Sequence, residues 1–412
     1  MYFTGEERFM KTYAAGLDLG HKEIDFVIMM KGKAVRLTMP TAFKRVDTTA
    51  FTFIPMGEGM EVTEEKGKGK AKGKSKIVDT APHQESDPTL PAPPIEPDKV
   101  VIRLHGEATA CAIGHYALEQ TTTPWNGKGD YLRYASSYAL KALLAASALT
   151  QQDREYSLLV VTGVPTEYFL DHKDLPDAIK SKLDGTHIFT LDGETWYTCH
   201  VSVKAVVMEG GGALIAFRDR ELTLQSEAGV VDIGGGTTDL YAQRGVTPLK
   251  DLCRGKDIAV ESATMLMKTS FLQKYKRPLT DKEARDVMRA FASGKKQNFP
   301  QLFANGTAVP VEALQDMVEQ AVDVIAEDIV SFIAATWGSA ISRFSPVLLI
   351  GGGTFYFYAA IKNRIEHVTV HSDPTFANAL GYATLAARKL LKQTQEEGEK
   401  AKVAVGAGER AE

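Results

Sequence analysis

Two segments of the chain repeat one short pattern, and this repeat limits the possible folds more than any other feature. They are AGLDLGHKEIDFV near the N-terminus and GVVDIGGGTTDLY in the second half. At a constant spacing of 214 residues, Asp18 aligns with Asp232 and Asp25 with Asp239. Each segment has an apolar run, Asp-x-Gly, polar residues and a second apolar run, which predicts a β-hairpin with an acidic residue ending its first strand. The repeat favours two related lobes.

The glycines of these hairpins are suited to binding phosphate. Because glycine has no Cβ, the backbone N–H groups of a glycine-rich turn can point at an anion that approaches closely. The adjacent carboxylate cannot hold phosphate itself, but it can hold a hydrated Mg²⁺ that does. Two such hairpins facing each other would clamp a triphosphate between two domains.

A third glycine-rich segment, VLLIGGGT at 347–354, follows a run typical of a buried strand. Backbone at these glycines could approach a ligand closely. Taken singly, Asp-x-Gly is an ordinary turn, and three glycines after a strand are more often a loop than a ligand site. The combination of two matched hairpins with this third segment in one chain indicates a binding site.

Apolar runs alternate with helical patterns along most of the 412 residues, which predicts an α/β fold. The expected strands are AAGLDLG, SLLVVTGVP, VKAVVME, AGVVDIGGG and PVLLIGGG. Helices are expected at 132–149, at 311–344 and in EARDVMRAF after an N-cap at Thr280. Two segments break the pattern: 57–99, where alternating lysines precede a proline cluster, and the polar tail after Leu391. We expect both to be disordered.

Composition excludes several classes of protein. A net charge of −4 argues against a protein that coats nucleic acid. The cysteines Cys111, Cys199 and Cys253 are far apart and odd in number, which excludes a disulfide scaffold and fits a reducing cytosol. The apolar stretches fall short of the about 20 residues that span a bilayer, and the N-terminus has no continuous apolar region typical of a secretory signal. The sequence predicts a cytoplasmic protein without direct nucleic-acid or membrane contacts.

The order of the glycine-rich motifs resembles that of the actin-like ATPase superfamily, and the chain is most similar to its bacterial and archaeal members of the ParM/StbA type. The resemblance extends over nearly the whole chain, through GLDLG at 16–20, VVTGVPTEYF at 160–169, VVMEGGGA at 206–213, VVDIGGGTTDLY at 230–241, LLIGGGT at 348–354 and FANALGYA at 376–383. It implies an α/β fold of the actin-like, ribonuclease H-like duplicated type, with a nucleotide cleft between two lobes.

The resemblance also implies a division into domains. Domain I is expected at 1–222, including the insertion at 57–99, and domain II at 223–372. A C-terminal helix at 373–391 would return to domain I, followed by a flexible tail at 392–412.

The same resemblance implies a role for each residue that matches a motif. Asp18 and Asp232 would act in catalysis by holding Mg²⁺ through water, together with Glu209, which would orient or activate the attacking water. The phosphates would be held by the two turns, at Gly20, His21, Lys22, Gly234, Gly235, Gly236, Thr237 and Thr238. The adenosine side would be lined by Gly351, Gly352, Gly353 and Thr354.

Two acidic positions near the glycine motifs, Glu209 and Asp25, affect the predicted chemistry. Glu209 follows the apolar run 203–208 and precedes three glycines, so it should emerge from a strand end into the cleft; the alternative is a surface Glu before a flexible turn. At Asp25 many relatives carry a Lys that reaches the phosphates. Lys22 could supply this charge from the turn. Without a replacement, phosphate affinity or turnover would be reduced.

The resemblance implies a filament protein that binds ATP or GTP with Mg²⁺, polymerises with itself and positions plasmid DNA through a DNA-binding adaptor protein. Hydrolysis of ATP would be slow and coupled to polymerisation. Two alternatives stay open: a non-polymerising phosphotransferase on the same fold, and a scaffold that binds ATP without hydrolysing it.

Overall fold

The structure, a computed structural model, describes residues 10–48, 93–121, 123–217 and 226–408, with the backbone alone for 397–408. This part of the chain forms two lobes, each a β-sheet with helices packed on it. We call residues up to 217 the first lobe and residues 226–370 the second lobe. The helix that follows them packs on the sheet of the first lobe.

The first lobe contains strands β1 (Lys11–Leu19), β2 (Glu23–Met30), β3 (Lys33–Pro40), β4 (Phe43–Val46), β5 (Val100–Leu104), β6 (Ala110–Ile113), β7 (Glu155–Val164), β8 (Gly185–Thr190) and β9 (Trp196–Met208). They form one sheet in the order β3-β2-β1-β7-β9-β8-β5-β6-β4. The helices of this lobe are α1 (His115–Gln120), α2 (Ser137–Thr150), α3 (Thr166–Asp171), α4 (Leu175–Leu183) and α5 (Gly211–Ala216), and Tyr131–Ala135 is a 3-10 helix.

The second lobe contains strands β10 (Glu227–Ile233), β11 (Thr238–Arg244), β12 (Thr247–Pro248), β13 (Arg254–Lys256), β14 (Phe303–Ala304), β15 (Thr307–Ala308), β16 (Phe344–Ile350) and β17 (Val368–Val370). Its main sheet runs β12-β11-β10-β16-β17, with β13 also on β11, while β14 pairs with β15. The helices are α6 (Val260–Tyr275), α7 (Asp281–Ala292), α8 (Val311–Trp337) and α9 (Thr354–Arg364), with 3-10 helices at Lys250–Leu252, Lys296–Asn298 and Gly338–Arg343. The last helix is α10 (Ala377–Gly408).

The predicted repeat is present in three dimensions. Strand β1 is antiparallel to β2 and parallel to β7, and β10 is antiparallel to β11 and parallel to β16. Asp18 pairs with Asp25 across the first hairpin, and Asp232 pairs with Asp239 across the second. Each of the five predicted strands is observed, and α7 begins with Thr280 in a capping box, its hydroxyl accepting from the Glu283 N–H.

Two predicted helices are shorter than expected. The segment 132–149 divides at Ser136, whose hydroxyl accepts from the Ala139 N–H and caps α2 after a 3-10 helix. The segment 311–344 is α-helical only to Trp337, because Gly338 takes a positive φ of 47°, and a 3-10 helix continues to Arg343. Phe344 already belongs to β16.

The two segments expected to be disordered differ from each other. Most of 57–99 lies outside the described residues, but its end from 93 is described, and the backbone of Ile95 bonds to Arg36 and Thr38 of β3. The flexible tail predicted at 392–412 is wrong as far as residue 408, because α10 continues to Gly408. Ala, Glu, Lys and Gln extend a helix that packing has already nucleated, at little free-energy cost.

Each lobe has its own apolar core. In the first lobe, the nearly fully buried α2 packs against the sheet; in the second, α6 and α8 pack against β10 and β16. The segment Val311–Arg343 is long and apolar enough to cross a membrane by length and composition. Several of its apolar residues nevertheless lie in the core of the second lobe, among them Leu314, Val318, Ile325 and Ile329, whereas Val324 is exposed.

The cysteines lie inside these cores. Cys111, Cys199 and Cys253 are free and fully buried. Burial raises the pKa of the Cys111 thiol to about 11 and that of Cys199 to about 12. The absence of disulfides agrees with the prediction for these cysteines, which are all within the described residues.

Glycines allow α10 to lie against both the first sheet and α5. A Cβ on Gly381 would stand 1.7 Å from the Gly212 carbonyl oxygen, and one on Gly16 of β1 would stand 2.1 Å from the Ala379 oxygen. A Cβ on Gly163 would stand 1.9 Å from the Tyr382 hydroxyl. This junction brings Asp18 and Asp232, near the ends of β1 and β10, beside the start of α10.

We therefore expect Gly381→Ala to destabilise the protein, because backbone atoms of α5 cannot move away as a flexible side chain would. Overpacking of this kind costs about 1–3 kcal/mol or more in free energy of unfolding. Urea denaturation measures it, with exposed Lys389→Ala on the same helix as the control. Equal stability of the two variants would contradict the close contact.

Candidate functional site

The strand ends Asp18 and Asp232 are joined by one side chain of α10. The Asn378 amide donates to the Asp232 carboxylate at 2.7 Å, and its oxygen accepts from the Gly210 N–H at 2.9 Å. A hydrogen bond to Asn378 also lowers the pKa of Asp18, although burial has the larger, opposite effect. The two aspartates predicted from the repeat are therefore brought together, as the repeat implied.

These aspartates belong to a buried acidic cluster. Burial raises the pKa of Asp18 to about 6 and that of Asp239 to about 7. Burial, followed by repulsion between neighbouring carboxylates, raises the pKa of Asp25, Glu209 and Asp232 well above the usual range. A cation placed among them would favour their ionised forms.

Glu209 lies where the sequence placed it, at the end of β9. Its N–H donates to the Val164 carbonyl at 2.9 Å, and Gly210 follows with a positive φ of 84° that turns the chain into α5. The side chain is buried, and its Oε1 atom has no hydrogen-bond partner among the described residues. A buried carboxylate oxygen without a partner is costly, so this atom is available for a ligand or water.

A buried arginine stands beside Asp18. The Arg133 guanidinium donates to the carbonyl of Leu19, at the end of β1, and to that of Asn126 at 3.1 Å. Gly127 permits this packing, since a Cβ there would stand 2.7 Å from the Arg133 Cβ. The positive charge of Arg133 lowers the pKa of Asp18. Arg133 thus provides a buried cation next to the turn of the first hairpin, and the second strand of that hairpin carries Asp25.

The two predicted phosphate-binding turns touch each other. A Cβ on Gly235 would stand 2.1 Å from the Lys22 Cγ, and one on Gly236 would stand 3.2 Å from the His21 Cβ. Burial, then the charge of Arg133, lowers the pKa of His21 to about 4. The side chains of His21 and Lys22 therefore occupy the space opposite the second turn.

The third glycine segment packs on the second hairpin. The Gly353 N–H donates to the Ile233 carbonyl at 2.8 Å, and a Cβ on Gly351 would stand 2.6 Å from an Asp232 carboxylate oxygen. Gly352 faces open space, with no atom within 4 Å of an added Cβ. Thr354 begins α9. All three predicted glycine segments thus meet near Asp232.

A cavity of about 460 Å³ lies next to the first turn, lined mainly by the first lobe and by the segment that leads to α10. Glu23 and Arg36 of the first lobe and Arg289 of the second are among its lining residues, with Asp373 and Phe376 of the segment leading to α10. Arg36 forms an ion pair with Asp373 and stacks over Phe376. None of the predicted glycine-segment residues lines this cavity, although Gly351 N–H donates to the neighbouring Pro374 carbonyl at 2.8 Å.

The acidic cluster is compatible with a metal held through water. No three His, Cys, Asp or Glu side chains within the described ranges are arranged to bind a metal ion directly. Glu209 Oε1 and Asp25 Oδ1 are buried without partners there. Mg²⁺ usually keeps several of its waters in proteins.

Comparisons with known proteins decide the family. Residues 16–212 match the family "Actin like proteins N terminal domain", and residues 230–363 match "Archaeal actin homologue MreB-like, C-terminal". The chain is an actin-like protein. No curated protein sequence matches this actin-like chain.

Solved structures share the actin-like fold. The archaeal actin homologue Ta0583 has a TM-score of 0.66 at 17% identity, covering 92% of this chain and 99% of its own, and it has also been solved in complex with ADP. Alp7A has a TM-score of 0.63 at 17% identity over 94% of this chain and 100% of its own. A 15-stranded ParM filament from Clostridium botulinum has a TM-score of 0.62 at 17% identity, covering 92% and 100%.

Sequence reasoning missed two residues of the site. Asn378 lies in FANALGYA, a segment used for the family resemblance, so a signal for it was present. Arg133 belongs to none of the motifs in the sequence. Its position beside Asp18 is evident only in the folded chain. The residue proposed to replace the missing Lys, Lys22, instead binds Glu261 at 2.8 Å.

The raised pKa of Asp239 predicts a pH-dependent effect of Asp239→Asn. The folded-state pKa of about 7 exceeds the ordinary 3.8, so folding favours the protonated carboxyl, and its ionisation destabilises the fold as pH rises between these values. Relative to wild type, the variant should gain about 4 kcal/mol of stability between about pH 4 and about pH 7.

Urea denaturation at several pH values in nucleotide-free buffer measures this difference, in which the titrating groups remote from Asp239 cancel. The exposed Asp171→Asn is the control and should show no comparable trend. A stability difference that is constant with pH would contradict the raised pKa.

Proposed function

We propose that this actin-like protein binds ATP with Mg²⁺ between its lobes, hydrolyses it slowly and polymerises in response to it. The observation that carries the proposal is the pair of facing hairpins, whose acidic strand ends Asp18 and Asp232 are linked through Asn378. The ADP complex of the archaeal homologue supports a nucleotide as ligand. GTP is the alternative nucleotide.

The phosphates would lie between the two turns. Backbone N–H groups of Gly20 and His21 on one side, and of Gly235, Gly236 and Thr237 on the other, would hold them. The Gly234 N–H already donates to the Thr237 carbonyl at 2.9 Å. Since His21 and Lys22 touch Gly235 and Gly236, binding requires these side chains to move or the lobes to separate. Electrostatic attraction would come from Lys22 and from buried Arg133, which offsets the negative charge of Asp25.

The nucleoside would extend from Gly351, Gly352, Gly353 and Thr354 towards the larger cavity, beside the first turn. Its volume of about 460 Å³ is in the range of small-molecule sites. The hydrogen bond from Gly351 to Pro374 joins the glycine segment to the residues that line this cavity.

Asp18 and Asp232 would hold Mg²⁺ through water. When bound, the ion would neutralise phosphate charge during hydrolysis. Asn378 keeps the Asp232 carboxylate in place, which preorganises this acidic end of the cleft. Glu209 would orient or activate the water that attacks the terminal phosphate, using the oxygen that has no partner among the described residues.

Glu209→Gln should reduce ATP hydrolysis by about 100-fold or more, since loss of a positioned base typically costs 10²–10⁴ in rate. Glu209→Ala should abolish turnover, and nucleotide affinity should stay within about two-fold in both because Glu209 would contact water rather than nucleotide. Phosphate release and calorimetric binding measure the two quantities. An unchanged hydrolysis rate would remove Glu209 from this role.

Self-association is the second part of the proposal. The ParM structure from Clostridium botulinum is described as a 15-stranded filament, and its fold matches that of this chain. Head-to-tail contacts that do not close into a ring produce open filaments. Segregation of plasmid DNA through a DNA-binding adaptor, and a cytoplasmic location, complete the proposal.

Mg²⁺ and ATP together should convert the purified protein into sedimentable polymer visible by electron microscopy. ADP should give less polymer, because hydrolysis would weaken the filament. The variant Asp232→Asn, which loses charge at the Mg²⁺ position, is expected to polymerise poorly. Nucleotide binding without polymer under a range of salt concentrations would contradict the filament proposal.

A scaffold that binds ATP without hydrolysis is the competing function. It is favoured by Asp25, a buried carboxyl at the position of the phosphate-contacting Lys in many relatives. Undetectable phosphate release, with polymerisation retained, would support this alternative; release that depends on an added sugar would favour a phosphotransferase.

A further inference from the structure

One carboxylate connects the two lobes beside the predicted phosphate turns. Glu261, in the first turn of α6, accepts from Lys22 at 2.8 Å through one oxygen and from Lys128 at 2.6 Å through the other. Both lysines belong to the first lobe, whereas Glu261 belongs to the second. The three residues therefore form an ionic bridge across the cleft.

The bridge is attached to the second phosphate turn. The backbone N–H of Glu261 donates to the Gly235 carbonyl at 2.9 Å, so α6 and this turn are fixed to each other. Lys22 lies in the first turn itself, and its methylene groups cover Gly235. Separation of the turns would therefore break the contact between Lys22 and Glu261.

A second, smaller cavity adjoins the bridge. It has a volume of about 250 Å³ and is lined by Lys128 of the first lobe and by residues of the second, among them Gly236, Asp257, Glu261 and Ser262. The side chains of Lys22 and Lys128 are about half exposed, at 48% and 51%, so their ammonium groups can change partner without unfolding the site. Hydrogen bonds from the two lysines keep the pKa of Glu261 low against the opposing effect of burial.

We propose that Glu261 is an internal competitor of the nucleotide phosphates, and that Lys128 is a phosphate-binding residue. This inference rests on the proposed nucleotide site. In the nucleotide-free protein Glu261 neutralises Lys22 and Lys128 and holds the lobes together. A bound nucleotide provides stronger anionic partners, both lysines transfer to its phosphates, and α6 is released from the first lobe.

The competition predicts opposite effects of removing the two kinds of charge. Glu261→Gln keeps the size of the side chain but frees both lysines, so the affinity for Mg-ATP should increase about three- to ten-fold, as expected from exposed ion pairs. Lys128→Met should decrease the affinity by a similar factor. A purely structural role for the bridge would instead make both variants weaker binders.

Isothermal titration calorimetry with Mg-ATP on the full chain measures these affinities, with thermal unfolding to check that each variant is folded. Lys268→Met is the matched control. Lys268 lies on α6, as Glu261 does, and its loss removes an ion pair with Asp281 without changing the lining of the small cavity. The double variant of Glu261→Gln and Lys128→Met should bind more weakly than Glu261→Gln alone, because Lys128 is the group that Glu261 restrains.

The outcomes separate the two proposals. If wild type binds Mg-ATP but Glu261→Gln binds equally or less well, this inference is wrong and the nucleotide site stands. If Lys128→Met binds as wild type does, Lys128 is not a phosphate ligand and the inference is also wrong. If wild type binds neither ATP nor GTP, the proposed function fails as well.

Discussion

The contact between Gly381 of α10 and Gly212 of α5 is the constraint on which the acidic cluster depends, because it fixes α10 on the first lobe. Because neither glycine has a side chain, α10 lies directly against α5 of the first lobe. Asn378, one turn earlier on α10, is thereby placed between Asp18 and Asp232. The acidic cluster is therefore assembled by backbone packing, which resists the mutual repulsion of its carboxylates.

The buried acidic cluster lowers the stability of the fold. Five carboxyl groups lie in or around the junction with raised pKa values, and Arg133 is a buried positive charge beside them. The apolar cores of the lobes supply the stability that permits it. Functional sites commonly retain such unfavourable charge because a ligand later relieves it.

The sequence predicted the features that depend on neighbouring residues. The hairpins, the end of β9 at Glu209 and the cap at Thr280 are local patterns, and they are observed. Arg133 could not be predicted, because its role comes from a contact with Leu19, distant in the sequence. The tail differs from the prediction because a polar composition does not distinguish disorder from an exposed helix, and its residues favour helix when a packed helix precedes them.

The burial of every native thiol makes conformational measurements on this chain simple. Cys111, Cys199 and Cys253 are buried, and burial raises the pKa of each thiol. Maleimide reagents need an exposed thiolate and will therefore not react with them. A pair of cysteines introduced on the outer faces of the two lobes would thus be labelled alone. The distance between fluorescent dyes at such a pair would follow the opening of the cleft in an otherwise unaltered sequence.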